Sequence, residues 1–216
     1  MSSFIYAPPA SPLAILHADD DILAVDKPSG LLSVPGRGPE RADCLINRLR
    51  AEFPSVLLVH RLDLDTSGVI IFALTPQAQA HLGRQFEQRR TRKHYVALIA
   101  GHPAEKRGRI DLPLIVDWPN RPRQKVCHET GRAAQTDWRV LRTEGTNARV
   151  RLVPITGRSH QLRVHMLALG HPILGDPLYG PQTTADWPRL MLHAEMLGLT
   201  HPTTGQRLEL RASVPF

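Results

Sequence analysis

The chain has 216 residues, of which 42% are hydrophobic, and it carries a formal net charge of +7 with a pI near 10.1. This length allows one sizeable core or two closely joined subdomains, and no apolar stretch approaches the roughly 20 residues that a membrane span needs. The two cysteines, Cys44 and Cys127, are far apart and outside any CxxC pattern. The cysteine pattern therefore predicts free thiols and argues against a disulfide or a zinc site.

Of the 27 basic residues, 23 are arginine. This balance favours a polyanionic partner, nucleic acid before membrane, because the guanidinium fork suits phosphates and its plane stacks on bases. An ordinary solvated surface rich in arginine would give the same composition, so composition alone leaves both interpretations open. The N-terminal stretch has neither the basic start nor the apolar centre of a signal peptide, and we expect a cytoplasmic protein.

In chain order, residues 1–12 are rich in Pro and Ser and predict a loose arm. Residues 14–25 predict two short strands around an Asp turn, because alternating apolar residues are interrupted there by turn formers. A tight KPSG loop follows at 27–30, where Lys27 could contact a phosphate. Asp43 is expected to cap a helix that runs to about Phe53.

Residues 58–69, LVHRLDLDTSGV, lie at the junction of two apolar runs of strand length and predict strand, tight loop and strand. A polar hairpin loop would account for the residues from Asp65 to Gly68, whose side chains often bond their own backbone. It does not account for Arg61 and Asp63, which alternation would place on one face. A cation beside a carboxylate at a strand end indicates a site, since unpaired charges are costly to bury.

Thr75 and Pro76 predict the start of a second helix, and a basic cluster, RRTRKH, follows that helix at 89–94. Cations near a helix C-terminus are favourable for the helix itself, but their density here favours a surface that faces RNA. Tyr95 then begins a predicted strand. An aromatic residue in a strand usually belongs to a core, but the neighbouring basic cluster favours a stacking role.

Residues 110–116 predict a strand, and the Pro-stiffened loop WPNRPRQK at 118–125 is suited to contact a phosphate backbone or is a long exposed connection. Residues 136–141 and 148–155 predict an antiparallel hairpin. A further helix is expected over 160–169, with Ser159 as its cap and a C-terminal glycine after it.

Tests for several other chemistries fail. The chain contains no HExxH, GxxxxGK[ST], GxGxxG or GxSxG motif, and no His/Cys/Asp cluster at metal-ligand spacing. What remains is a carboxylate, an arginine and a tyrosine in a strongly basic chain.

The stretch HRLDLDTSG at 60–68 resembles the signature of the RluA-type pseudouridine synthases. Three further matches occur in the expected order, KPSG at 27–30, RKHY at 92–95 and GRSHQLRVH at 157–165. The resemblance covers roughly residues 13–215. It implies one catalytic domain over 13–216 and an α+β fold with a long, mixed, mostly antiparallel β-sheet and flanking helices.

The resemblance also implies the chemistry: uracil is detached from its ribose, rotated and rejoined through carbon 5. Asp63 would be the catalytic carboxylate, as nucleophile or base, and Arg163 would pair with it and keep it ionised. Tyr95 would stack on the uracil and take the proton from carbon 5. Arg61 would act as a wedge that fills the stack vacated by the flipped base. Neither a cofactor nor a metal is expected.

The expected RNA-binding residues share a basic or polar side chain in one of the matching motifs or in the WPNRPRQK loop: Arg61, His60, Lys27, Arg92, Lys93, Arg121, Arg123, Lys125, Arg158, His160 and Gln161. The segments LPLIVDWPNRPRQKVCHETG and HMLALGHPILGD are similar to the branch of the family that modifies both 23S rRNA and tRNA anticodon stem-loops. A paralogue that modifies a different single uridine is the nearest alternative. No obligate protein partner is expected, and we expect a monomer.

Two other classes of protein fit part of the sequence. A non-catalytic RNA-binding protein would need the basic residues but not Asp63. A hydrolase of a phosphorylated small molecule would need a metal or a second carboxylate, for which only Asp65 is available.

Overall fold

The computed structural model describes residues 5–180 and 187–216, which contain twelve strands and three α-helices. The chain divides into two compact units. Unit 1 comprises Met1–Arg92 and Ala194–Ser213, and unit 2 comprises Lys93–His193 and Val214–Phe216.

Unit 1 contains α1 (Leu45–Arg50), α2 (Pro76–Glu87) and the strands β1 (Ala14–Ala18), β2 (Ile22–Lys27), β3 (Leu57–Leu58), β4 (Ser67–Ala73) and β12 (Arg207–Arg211). Strand β11 (Leu192–Thr200) begins in unit 2 and continues in unit 1. The hydrogen-bonded order is β1-β2-β4-β11, with β3 paired to β4 and β12 paired to β11. β2 and β4 run antiparallel, and Lys27 lies opposite Gly68.

The core of unit 1 forms where β2 and β4 meet α2. Every residue of β4 is buried, as is typical of a strand covered on both faces. Helix α2 contributes Ala78 and Leu82 to this core. It begins as predicted, because the hydroxyl of Thr75 accepts a hydrogen bond from the backbone N–H of Ala78 at 3.1 Å and Pro76 occupies the first turn.

The turn between β1 and β2 is held by one carboxylate. Partial burial would raise the pKa of Asp19, but hydrogen bonds from His17, from the backbone N–H groups of Asp21 and Ile22 and from His201 outweigh it and lower the pKa to about 2. Asp19 thereby ties the predicted Asp turn to the segment between β11 and β12.

Unit 2 contains α3 (Gln161–Ala168) and the strands β5 (Arg92–Ala100), β6 (Arg107–Asp111), β7 (Leu114–Val116), β8 (Gln124–Val126), β9 (Gln135–Glu144) and β10 (Asn147–Pro154). The strand order is β5-β10-β9-β6, and β7 and β8 form a separate two-stranded hairpin. The core of unit 2 includes Leu152 of β10 with Leu162 and Met166 of α3. The hairpin predicted at 136–141 and 148–155 is confirmed as β9 and β10.

The α+β class and the mixed, mostly antiparallel sheet are confirmed, but three boundaries differ from the predictions. Helix α1 is shorter than expected and begins after Cys44, because Asp43 receives two hydrogen bonds from Arg48, at 2.7 and 2.6 Å, and does not cap the helix. The strand predicted over 110–116 is interrupted after Asp111 and continues as β7. Helix α3 is preceded by His160 in a left-handed conformation (φ 53°), so Ser159 is not its cap.

Residues 5–12 contain neither helix nor strand, yet this arm is held in place. The hydroxyl of Tyr6 donates to the Asp43 carbonyl and accepts from the Leu32 N–H, and the Pro9 carbonyl accepts from Arg48. Within the described residues, no helix has the length and apolar character needed to cross a membrane. The same part of the chain contains no group of His, Cys, Asp and Glu that could hold a metal ion.

Candidate active site

Asp63 lies in the loop that joins β3 to β4 in unit 1. Strand, loop and strand are as predicted, but Arg61 and Asp63 belong to the loop and not to the first strand. Leu62 between them is buried, with 8% of its surface exposed, while Arg61 is exposed and Asp63 is half-buried. The side chain of Leu62 therefore anchors the loop, and its two charged neighbours lie nearer the surface.

Both backbone polar groups of Leu62 are bound by one buried side chain. The hydroxyl of Ser33 donates to the Leu62 carbonyl at 2.8 Å and accepts from the Leu62 N–H at 3.2 Å. Because Leu62 directly precedes Asp63, this pair of hydrogen bonds fixes the position of the backbone on the N-terminal side of Asp63. The sequence contained no signal for it, since Ser33 is 29 residues away from Leu62.

Lys27 holds the other side of Asp63. Its ammonium group is fully buried and donates to the carbonyls of Pro28, Leu31 and Leu64 at 2.9, 2.7 and 2.9 Å. The Leu64 carbonyl also accepts from the Gly30 N–H at 3.0 Å. The burial of this ammonium group and its contacts with carbonyls do not support the expectation that Lys27 contacts an RNA phosphate.

The remainder of the loop is bound in the same manner. The hydroxyl of Ser29 donates to the Asp65 carbonyl at 2.6 Å, and the Thr66 N–H donates to the Asp63 carbonyl at 3.2 Å. The loop leads into β4, whose second residue is Gly68. A side chain does not fit at Gly68, because its φ is 111° and an added Cβ would lie 2.3 Å from the Ala194 carbonyl oxygen. The KPSG segment and Ser33 thus act as a support for the segment that carries Asp63.

His60, expected to bind RNA, has structural contacts in unit 1. Its Nε2 accepts a hydrogen bond from the Ile71 N–H at 3.1 Å, and its ring stacks on Phe86 with centroids 4.5 Å apart. These contacts attach the start of the loop to β4 and to α2.

Replacing Ser33 by Ala should lower both the stability and the activity of the protein. The change leaves the N–H and carbonyl of buried Leu62 without their partner, which lowers the free energy of unfolding by about 1–3 kcal/mol. We expect a lower kcat because the backbone before Asp63 is no longer fixed. Urea unfolding measures the effect on stability, and the rate of the reaction that the family resemblance implies, at saturating substrate, measures the effect on activity. The exposed Ser55→Ala is the matched control, and equal effects from both changes would contradict the assigned role.

In unit 2, Arg163 forms a buried, bidentate ion pair. Its Nε and Nη2 donate to the two carboxylate oxygens of Asp176 at 2.8 and 2.7 Å, and both side chains are at most 2% exposed. Asp176 also accepts the backbone N–H groups of Leu178 and Tyr179, at 2.9 and 3.0 Å. The sequence analysis missed Asp176 as a partner of Arg163, because Asp176 lies in the turn-rich segment GDPLYG, which gave no indication that this side chain is buried.

Tyr179 connects this ion pair to β8 and to the start of α3. Its hydroxyl accepts a hydrogen bond from the Gln124 N–H of β8 and is bonded to Nδ1 of His160, both at 2.7 Å. Its ring lies 5.1 Å from the Arg163 guanidinium, within cation–π range. His160, expected to bind RNA, therefore connects the start of α3 to the β7–β8 hairpin through Tyr179.

Helix α3 is attached to β9 by side chains from the GRSHQLRVH motif. Gln161 and His165, one turn apart, both bond the hydroxyl of buried Thr136, at 3.0 and 2.9 Å. Gln161 is 4% exposed and also bonds the Gln135 carbonyl, the Thr156 hydroxyl and the Arg158 N–H. The amide group of Gln161 thus makes four hydrogen bonds inside unit 2, which does not support the prediction that it contacts RNA.

Burial lowers the pKa of His165, and its hydrogen bond to the Leu112 carbonyl, together with the charge of Asp111, opposes this only in part. The unfolded chain then binds more protons than the folded one below the ordinary histidine pKa near 6.5. The contribution of neutral His165 to stability is present above that pH and is lost as the pH falls through the lower folded-state pKa. Urea unfolding at a series of pH values should show this loss. In His165→Gln, the slope in this pH range should be smaller, and an unchanged slope would contradict the assignment.

The β7–β8 hairpin presents a basic tip. Trp118 is 65% exposed, and the guanidinium of Arg121 lies 4.0 Å above its ring. Arg123 and Lys125 are exposed as well, with Lys125 3.7 Å from a carboxylate oxygen of Asp117. An exposed aromatic ring among cations is suited to stack on a base while the cations contact phosphates. Trp118 was not among the predicted site residues.

The remaining predicted residues also lie in unit 2, apart from Arg92 at its border. Arg92 is exposed, Lys93 is half-buried, and Nε of Arg158 donates to the Ala133 carbonyl at 3.1 Å. Tyr95 is partly buried on β5 opposite Leu152 and packs against the core of unit 2. The predicted catalytic residues are thus divided between the two units, with Asp63 in unit 1 and Tyr95 and Arg163 in unit 2.

Comparison with known proteins identifies the family. The family model described as RNA pseudouridylate synthase matches residues 21–168, which include the Asp63 loop, Tyr95 and Arg163. The chain belongs to the RNA pseudouridylate synthase family. It is 56% identical over 214 residues to the dual-specificity RNA pseudouridine synthase RluA of Escherichia coli K12, with 98% of each chain covered.

Two further relatives of this pseudouridylate synthase agree. The protein of the same name from Pasteurella multocida is 51% identical over 219 residues and covers all of both chains. The solved structure of human RNA pseudouridylate synthase domain containing 1 superposes with a TM-score of 0.81 at 33% identity, covering 97% of this chain and 87% of that one. The enzyme is therefore an isomerase that converts uridine to pseudouridine in RNA.

Proposed function

We propose that this synthase modifies uridines in two RNAs, 23S rRNA and tRNA anticodon stem-loops, and that Asp63 is its catalytic carboxylate. The choice of two RNAs depends on one observation. More than half of the residues are identical to those of relatives named dual-specificity synthases, over nearly the whole chain. The loop geometry supports the choice of Asp63. Its backbone is fixed on both sides by Ser33 and Lys27, which suits a group that must attack one atom of a bound nucleotide.

The roles of the other residues follow from their chemistry. Arg61 is exposed two residues before Asp63, and its planar guanidinium can occupy the stack that the target base leaves. Tyr95 provides an aromatic face and a hydroxyl for the flipped uracil. Arg163, whose guanidinium donates two hydrogen bonds to Asp176, is the third catalytic residue of the proposal.

Binding of the RNA away from the reacting base is assigned to exposed cations. The tip of the β7–β8 hairpin supplies an aromatic ring and three basic side chains, and Arg92 adds a cation at the start of β5. The enzyme needs no cofactor or metal for this reaction, because the isomerisation has no net redox change and no group to be carried. We place it in the cytoplasm as a monomer.

The test is tritium release from carbon-5-labelled uridine in two transcripts, a tRNA anticodon stem-loop and a 23S rRNA stem-loop fragment. Release from both by the wild-type protein is the expected result. Release from one transcript alone would favour a paralogue with a single substrate and overturn the dual specificity. Release from neither, with both RNAs tightly bound, would overturn the choice of substrates.

A further inference from the structure

Three arginines lie opposite one another on neighbouring strands of unit 2. In the register of β6, β9 and β10, Arg107 is opposite Arg139, and Arg139 is opposite Arg151. Side chains directly opposite on antiparallel strands share a face and have Cβ atoms about 5 Å apart. Like charges in such positions destabilise a sheet. The stability of the sheet therefore gives no reason for this row, which we call the arginine row.

The arginine row lines a cavity of about 640 Å³, together with His94 of β5. This volume is within the range of pockets that hold small-molecule groups. The lining also contains one carboxylate, Asp137, which receives two hydrogen bonds from Arg109, at 2.5 and 2.9 Å. Because Arg109 already offsets that carboxylate, the exposed Arg107 and Arg139 give the cavity an excess of positive charge.

The cavity is on the face of the sheet that the proposed chemistry does not use. Leu152, next to Arg151 in β10, points to the other face, where it packs in one core with Leu162 and Met166 of α3. Tyr95 is the cross-strand partner of Leu152 and shares its face. Arg107 and Arg139 are exposed, and β6 is the last strand in the order of this unit, so the row is open to a large ligand.

We propose that the arginine row is a second phosphate-binding site, which takes a backbone phosphate of the RNA substrate away from the nucleotide that is isomerised. The proposal rests on the proposed function, since it needs an RNA substrate. The guanidinium groups present forks of N–H donors that match phosphate oxygens, and a phosphate between them replaces mutual repulsion by attraction. The ligand has to be polyanionic and large enough to reach both faces of the unit 2 sheet, the face of Tyr95 and the face of the arginine row. Structured RNA meets both requirements.

The experiment compares wild type, Arg107→Gln/Arg139→Gln and the control Arg142→Gln, all as full chains. Arg142 is an exposed arginine of β9 outside the cavity, with its Nε 2.6 Å from a Glu144 carboxylate oxygen. Affinity for a full-length tRNA and for its isolated anticodon stem-loop is measured over a range of salt concentrations. Tritium release at saturating RNA reports the chemistry separately, and thermal unfolding without RNA confirms that each variant is folded.

For the double variant we expect the slope of log affinity against log salt for full-length tRNA to fall by about 1, with a roughly tenfold weaker affinity at low salt. Its kcat and the behaviour of the control should stay within twofold of wild type. An effect on full-length tRNA alone would place the phosphate outside the stem-loop, and an effect on both RNAs would place it within; each supports the site.

An unchanged salt slope for both RNAs would overturn the proposal. So would a weaker affinity of the double variant for inorganic pyrophosphate with RNA binding unchanged, since it would assign the cavity to a free small anion. Failure of the proposed function is distinguishable, because it is seen in the wild type as absent tritium release, whereas failure of the second site is seen only in the comparison of variants.

Discussion

Asp63→Asn is expected to lower the rate of uridine isomerisation by at least about 10³-fold, with the affinity for RNA changed by less than about threefold. An amide has the size of the carboxylate but can act neither as a nucleophile nor as a base. The backbone of the loop should persist, because Ser33 and Lys27 bind the backbone of Leu62 and Leu64, and the substitution leaves these hydrogen bonds in place. Tritium release and RNA binding on the same preparation measure the two quantities.

Asp65→Asn is the matched control, because it makes the same change two residues later in the same loop. The hydroxyl of Ser29 binds the backbone carbonyl of Asp65, so the substitution leaves that hydrogen bond in place. We expect activity within a few-fold of wild type. If Asp65→Asn were inactive and Asp63→Asn active, the assignment of the catalytic carboxylate would be reversed.

Asp176→Ala is expected to lower the free energy of unfolding by about 3–5 kcal/mol. The reason is that the Arg163 guanidinium would lose two charge-assisted hydrogen bonds while its charge remained buried. The N–H groups of Leu178 and Tyr179 would lose their acceptor as well. Urea unfolding measures the change.

Two further variants separate burial from ion pairing. Asp137→Ala removes an equally bidentate partner of Arg109, but those side chains are 57% and 39% exposed, so we expect a loss below about 1 kcal/mol. Arg163→Met/Asp176→Leu replaces the buried pair by apolar groups and should recover much of the stability. We expect this double variant to be inactive, because it lacks the proposed catalytic Arg163. A double variant as unstable as Asp176→Ala would contradict this account.

Local patterns in the sequence were sufficient for much of the fold. The cap of α2 and the β9–β10 hairpin could be predicted because they depend on neighbours in the chain, such as Thr75 with Ala78. The choice of Asp63 as the catalytic carboxylate came from a long motif, and it stays a prediction. By contrast, the contacts of Lys27 with Leu64 and of Arg163 with Asp176 join residues 37 and 13 positions apart, and no periodicity encodes them.

Two of the expected RNA-binding residues are buried, and the sequence could not show this for a physical reason. Lys27 and Gln161 are polar side chains in motifs near the site, and a sequence does not reveal whether such a side chain faces solvent or backbone. Both side chains are buried, and they bind polar groups of the protein itself. Trp118 was overlooked for the opposite reason, since tryptophan is usually buried and here is largely exposed.

The many hydrogen bonds to the backbone of the Asp63 loop affect how the substrate is accommodated. A loop whose backbone is held by Ser33, Lys27 and Ser29 has little conformational entropy left to lose when RNA binds. It is therefore a poor candidate for a mobile lid, and adjustment of shape during base flipping has to come largely from the nucleic acid. An RNA whose target uridine is already weakly stacked would then be modified in preference to one in a stable helix, whatever the sequence around it.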